Sequence, residues 1–180
     1  TLARTETANG FQLTLTTALG RTSTYSVEQL STGAVQRVNS DSAGARTTVL
    51  SDPNGTVTIT SPDGTRTTIQ NGPDPRFGMM APVPTTITHT SPAGRTLTET
   101  TQRTATLTDP NNPLSLQTLT DTVTINGRTF TSQYVAATRT TTTTSPEGRQ
   151  TVAILDAQGR VISKQFAPNL TPITAGYDVL

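Results

Sequence analysis

A short turn recurs along this chain, and it limits the fold more than any other feature. Thr56-Val57-Thr58-Ile59-Thr60 is followed by Ser61-Pro62-Asp63-Gly64 and then by Thr65-Arg66-Thr67-Thr68-Ile69. Period-two alternation puts Val57 and Ile59 on one face and the threonines on the other. Proline presets φ for a turn, and glycine takes the positive φ that ends it. The segment therefore reads as a β-hairpin. The unit returns at Ser91-Pro92-Ala93-Gly94-Arg95 and Ser145-Pro146-Glu147-Gly148-Arg149. Forms without proline are Leu19-Gly20-Arg21, Asn126-Gly127-Arg128 and Gln158-Gly159-Arg160, and Asp52-Pro53-Asn54-Gly55 is a further variant. Asn126-Gly127 is the strongest of them, because both residues tolerate the positive φ of a type I′ turn.

Between the turns we expect strands near 11–17, 21–27, 34–39, 45–50, 56–60, 65–70, 85–90, 95–100, 103–108, 116–125, 128–135, 138–144, 149–155 and 160–166. Threonine occupies 43 of the 180 positions. It is β-branched and stiff at χ1, which suits a pleated strand. Apolar residues make up only 31% of the chain and aromatics 4%, so the core is thin or discontinuous. Charged residues are also scarce, at 14% with net charge +1, unlike the usual disordered composition. No segment keeps a 3.6-residue period, and Ser26–Leu30 is too short for a helix. The fold class is all-β: an extended antiparallel sheet of successive β-hairpins.

Two stretches interrupt the meander. Residues 71–84 carry Pro73, Pro75, Pro82 and Pro84 around Phe77, Gly78, Met79 and Met80, which predicts an irregular Pro-rich loop. Its Met pair is expected to cover a sheet edge or plug a core. Asp109-Pro110-Asn111-Asn112-Pro113 reads as a plain turn. The spacing between turn glycines varies, which argues against a solenoid of fixed period. Residues 1–180 are read as one repeat region. The abrupt start and finish in strand-like sequence suggest an internal piece of a longer protein.

Composition excludes several functions. Twelve arginines and Lys164 are spread singly, so no basic stripe attracts nucleic acid. No segment approaches the roughly 20 apolar residues of a membrane-spanning helix, and no signal peptide is evident at Thr1–Glu6. Cysteine is absent, which removes disulfides and thiolate metal sites and fits an exported protein. His89 is the only histidine; neither zinc ligation nor a Ser-His-Asp triad gains support from one histidine without a nucleophile elbow.

Most acids (Asp41, Asp52, Asp63, Asp74, Asp109, Glu147 and Asp156) fall in turns, where carboxylates cap local amides. Glu99 and Asp121 are the strand-borne candidates for a catalytic pair. No EF-hand or other calcium-loop spacing is present. The reading is a non-enzyme without cofactor or metal.

Two features remain. Thr-x-Thr rows such as Thr118/Thr120/Thr122/Thr124 resemble the ice-binding face of β-helical antifreeze proteins, but that face demands a regular register. A solvated face with cross-strand Thr pairs is the simpler reading. The arginines that open return strands (Arg21, Arg95, Arg128, Arg149 and Arg160) are placed to bridge to turn acids such as Glu147 or Asp156. They would hold consecutive hairpins in register and discourage edge-to-edge aggregation. The structural turn motif is thus Gly20, Arg21, Gly64, Gly94, Arg95, Gly127, Arg128, Gly148, Arg149, Gly159 and Arg160.

Ser145-Pro146-Glu147-Gly148-Arg149 followed by Leu155-Asp156-Ala157-Gln158-Gly159-Arg160-Val161-Ile162 resembles repeats of bacterial RHS (rearrangement hotspot, or YD-repeat) proteins. In that family a Gly-Arg turn precedes an aromatic residue and then Tyr-Asp. Here Gly20-Arg21 leads to Tyr25, Gly127-Arg128 to Phe130 and Tyr134, Gly159-Arg160 to Phe166, and Gly176-Tyr177-Asp178 follows. The likeness covers most of the chain and is strongest from about 127 to 180. Only one Tyr-Asp pair is present, aromatics are few, and threonine fills many positions. The resemblance implies a panel of a sheet that curls into a shell, around a toxin domain in bacteria or in a surface adhesion protein in animals. Its implied partners are flanking repeats or domains of a secreted or cell-surface bacterial protein. The family's autoproteolytic aspartates have no match here. The alternative is an adhesin-like module that binds carbohydrate or protein, favoured by any exposed groove lined by Tyr25, Tyr134 or Phe77.

Overall fold

The computed structural model describes residues 1–178. It is all-β, with strand order following chain order in one sheet. The strands are β1 (Leu2–Thr7), β2 (Gly10–Thr16), β3 (Thr22–Gln29), β4 (Val35–Ser40), β5 (Arg46–Ser51), β6 (Thr56–Thr60), β7 (Arg66–Asp74) and β8 (Gly78–Thr90). They continue as β9 (Thr96–Leu107), β10 (Leu116–Ile125), β11 (Arg128–Val135), β12 (Thr140–Thr144), β13 (Gln150–Leu155), β14 (Val161–Gln165) and β15 (Ile173–Thr174). The chain divides into two compact units where the sequence suggested one repeat region. The first comprises residues 1–72 and 84–98, the second residues 73–83 and those from 99 onward.

One turn geometry builds most of the hairpins. It spans Thr17–Arg21, Leu30–Ala34, Asp41–Ala45, Asp52–Thr56, Ser61–Thr65, Ser91–Arg95, Ser145–Arg149 and Asp156–Arg160. In each, the first residue's N–H donates to the fifth residue's carbonyl, and the fourth residue's N–H donates back to the first carbonyl. The fourth residue is always glycine at positive φ, from 74° at Gly20 to 85° at Gly55. This is a type I turn closed by a left-handed residue that forms a bulge. The irregular glycine spacing therefore arises in strand length, which between these turns runs from 5 residues in β6 to 13 in β8. Asn126 and Gly127, at φ 50° and 76°, form the two-residue turn between β10 and β11.

The 71–84 stretch corrects an expectation. It is a hairpin, with β7 running to Asp74 and β8 starting at Gly78, and not an irregular loop. Consecutive residues of a strand direct their N–H groups to opposite neighbours. Pro82 and Pro84, two apart, therefore withhold donors on one side only and leave the other ladder intact. The Met pair plugs nothing: Met79 and Met80 are 56% and 94% exposed. Segments 95–100 and 103–108 form one strand, β9, and β1 and β15 are additional strands. Of the Ser26–Leu30 stretch, Ser26 to Gln29 belong to β3.

In the first unit, Phe11, Val27, Arg37, Val49, Ile59 and Thr67 pair across successive strands on one face. Gln12, Ser26, Val38, Thr48, Thr60 and Arg66 occupy the adjacent row on the other. In the second unit, Thr104, Thr120, Gln133 and Thr142 form a row on a threonine-rich face. Thr101, Val123 and Phe130 lie on the opposite face. Each unit is one sheet layer, so side chains on both faces stay half-buried. Among the described residues, the buried hydrophobic ones are Ala34 and Val38. Ala34 closes a turn whose Gly33 lies against Pro53 of the Asp52–Thr56 turn.

Candidate functional site: turn ion pairs, a buried aspartate and a tyrosine hollow

Asp and Ser at the first turn position do local work. Asp41 accepts the N–H groups of Ala43 and Ala45, each at 2.9 Å. Asp156 accepts those of Gln158 and Arg160 at the same distance. Ser91 and Ser145 accept the N–H groups of Arg95 and Arg149. The Thr65 N–H and hydroxyl bonds hold the Asp63 carboxyl below its ordinary range. The Arg160 N–H does the same for Asp156 against the opposing desolvation, with the Arg160 guanidinium and the Gln158 N–H adding to it. These acids are ionised turn caps.

The turn arginines divide. Arg128 Nη2 donates to Glu147 Oε1 at 2.9 Å, which ties the β10–β11 turn to the β12–β13 turn. Arg149 approaches the other Glu147 oxygen at 3.5 Å. Arg160 pairs with Asp156 of its own turn at 2.7 Å and lies over the Tyr177 ring. Arg21 and Arg95 form no salt bridge among the described residues. Glutamate 147 is depressed by its own N–H and by the Ser145 hydroxyl, with Arg128 and Arg149 adding to the effect. All of these groups are solvent-accessible, so screening weakens them. Glu147→Gln is expected to lower the melting temperature slightly in dilute buffer and to match the parent protein in high salt.

A stronger cluster sits in the second unit. Asp74 is 4% exposed. Its Oδ1 accepts the N–H groups of Arg76 at 2.8 Å and Phe77 at 3.2 Å, and Oδ2 accepts Arg103 Nη1 at 3.4 Å. Arg103 also grips Asp121 through two bonds, at 2.6 and 2.9 Å. Burial pushes the Asp74 carboxyl up, but the Arg76 and Phe77 N–H bonds and the two guanidinium groups hold it below the ordinary value. The Asp121 bonds raise Arg103 further despite its desolvation. The Arg76 Nε atom is buried without a hydrogen bond, 3.8 Å from Asp74. Glu99 and Asp121, the candidates for a catalytic pair, do not face each other: Glu99 faces Ile125, and Asp121 faces Arg103. The sequence marked Asp74 only as a turn cap, because its partner lies 29 positions away.

His89 Nδ1 lies 2.9 Å from the Thr67 hydroxyl. No group of three or more His, Cys, Asp or Glu side chains is placed to hold a metal among the described residues. The first unit also carries a shallow hollow lined by Ser23, Tyr25, Asn39, Ser40, Asp41, Ala45, Thr47 and Pro62. Tyr25, Asn39 and Thr47 stand in register on β3, β4 and β5 and so share one face.

No family model and no curated protein matches this chain.

Proposed function

We propose that the chain is a structural sheet segment of a larger secreted or surface protein of the RHS/YD-repeat kind, a wall that encloses or presents another domain. The observation that carries this reading is the single layer. Among the described residues the strands follow one another in chain order, yet the buried hydrophobic residues are only Ala34 and Val38. A domain normally stacks at least two layers around its core. A one-layer sheet gains its second layer from other parts of the protein or from what it surrounds. The repeated turn supports the same reading, because identical closures let hairpins follow one another with strands of different length.

Limited proteolysis of the full-length gene product tests it. A domain outside this segment is expected to resist protease in the intact protein. It should be cut rapidly when the first unit is disrupted by Gly10→Val. Equal cleavage rates in both forms would sink the reading.

A further inference from the structure

We propose that the Tyr25 hollow of the first unit is a binding site for a neutral pyranose sugar. It lies beyond the scaffold role and does not depend on it. The hollow measures about 200 Å³, below the roughly 300–1,000 Å³ of pockets for drug-sized ligands, so it suits one sugar ring and no larger ligand.

Its floor is set by strand register. Tyr25 on β3 pairs with Asn39 on β4, and Asn39 pairs with Thr47 on β5. Directly opposed residues of neighbouring strands carry Cβ atoms about 5 Å apart. A phenol ring, a carboxamide and a hydroxyl thus stand in line across the floor. Ser23, two residues before Tyr25, shares that face. The Ser61–Thr65 turn adds Pro62 as an apolar wall, and the Asp41–Ala45 turn supplies the rim.

The chemistry of the lining selects the ligand. Tyr25 is 42% exposed, so its ring offers an apolar plane to solvent. A pyranose presents a matching C–H face, with hydroxyls around its edge. Asn39 supplies two donors and an acceptor, and Ser23 and Thr47 each supply a hydroxyl that donates or accepts. Among the described residues no intramolecular hydrogen bond occupies these side chains or the Tyr25 hydroxyl.

Asp41 is the one charged residue in the lining, and Oδ1 of its carboxylate already holds the Ala43 and Ala45 N–H groups. No arginine or lysine lines the hollow, which disfavours phosphate, sulfated or sialylated ligands. The single aromatic gives one stacking platform and hence weak binding of one ring at a time. A repeated polysaccharide or a clustered glycan would engage it best.

The test is a glycan array that carries neutral hexose- and N-acetylhexosamine-terminated glycans beside sialylated and sulfated ones, probed with the whole chain. Retention on neutral glycans is expected. Tyr25→Ala should reduce it by about tenfold, as the loss of one aromatic contact does. Tyr25→Phe should keep most of it, because the ring remains. Phe130→Ala, which removes a comparably exposed ring from the second unit, should leave it unchanged. Circular dichroism of each variant confirms the fold, and Asn39→Leu serves as a second probe if Tyr25→Ala does not fold. Silence across the array, retention on anionic glycans alone, or equal loss in Phe130→Ala would overturn the proposal.

Discussion

Replacing Arg103 with leucine is expected to destabilise the second unit by about 2 kcal/mol, less than removing one partner of a fully buried pair, because Asp74 is buried but Arg103 and Asp121 are only part-buried. Asp74, at 4% exposure, would keep its turn amides but lose its hydrogen-bonded cation. Asp121 would lose both bonds that Arg103 donates. Arg128→Leu, which breaks an exposed pair of similar length, should move the urea midpoint far less. Acid distinguishes the two variants further. Asp74 is depressed in the folded parent protein, so its contribution is complete above the unfolded value of about 3.9 and fades as pH falls through the folded value. Arg103→Leu removes part of what depresses it. The gap between parent and variant should therefore be widest at neutral pH and narrow below about pH 4. Urea titrations at both pH values measure this. A neutral-pH cost no larger than that of Arg128→Leu would show that the cluster does not hold the unit.

Gly10→Val is expected to cost about 3 kcal/mol or more, near the upper end of overpacking effects, whereas Gly20→Ala should cost about 1 kcal/mol. The two glycines are needed for different reasons. A Cβ on Gly10 would collide with the backbone carbonyl of Val27 on β3, and no rotamer change relieves a clash with backbone. Gly20 has open space around it and is constrained only by its φ of 74°. Gly10 also begins β2, where it pairs with Glu28, so the insertion parts the β2–β3 ladder at its end. Thermal melts of the two variants give the comparison, and equal shifts would refute the role assigned to Gly10.

Nothing in the local sequence distinguishes Gly10 from a turn glycine. It follows Asn9, and Asn-Gly is the pattern that marks the Asn126-Gly127 hairpin correctly. The difference is that Gly10 does not take a positive φ while Asn126 and Gly127 do. Its requirement comes from the neighbouring strand. The prolines of 71–84 misled for a related reason. Proline withholds a donor on one side only, and which neighbour that side meets is not written in the strand itself. The tyrosine hollow was legible in part: Tyr25 stood out as a rare aromatic, but Asn39 and Thr47 gave no signal until register aligned them.

The sequence alone determined the all-β class and the positions of most hairpins, because period-two alternation and Gly or Pro turn chemistry act within a few residues. Type I turns closed by glycine are local objects, and local physics is enough to place them. Tertiary structure decided which residues face each other across strands. It brought Arg103 between Asp74 and Asp121, set Arg128 against Glu147, lined up Tyr25 with Asn39 and Thr47, and left Met79 and Met80 in solvent. Those outcomes depend on register summed over several turns and strands of unequal length, and no single segment carries that sum.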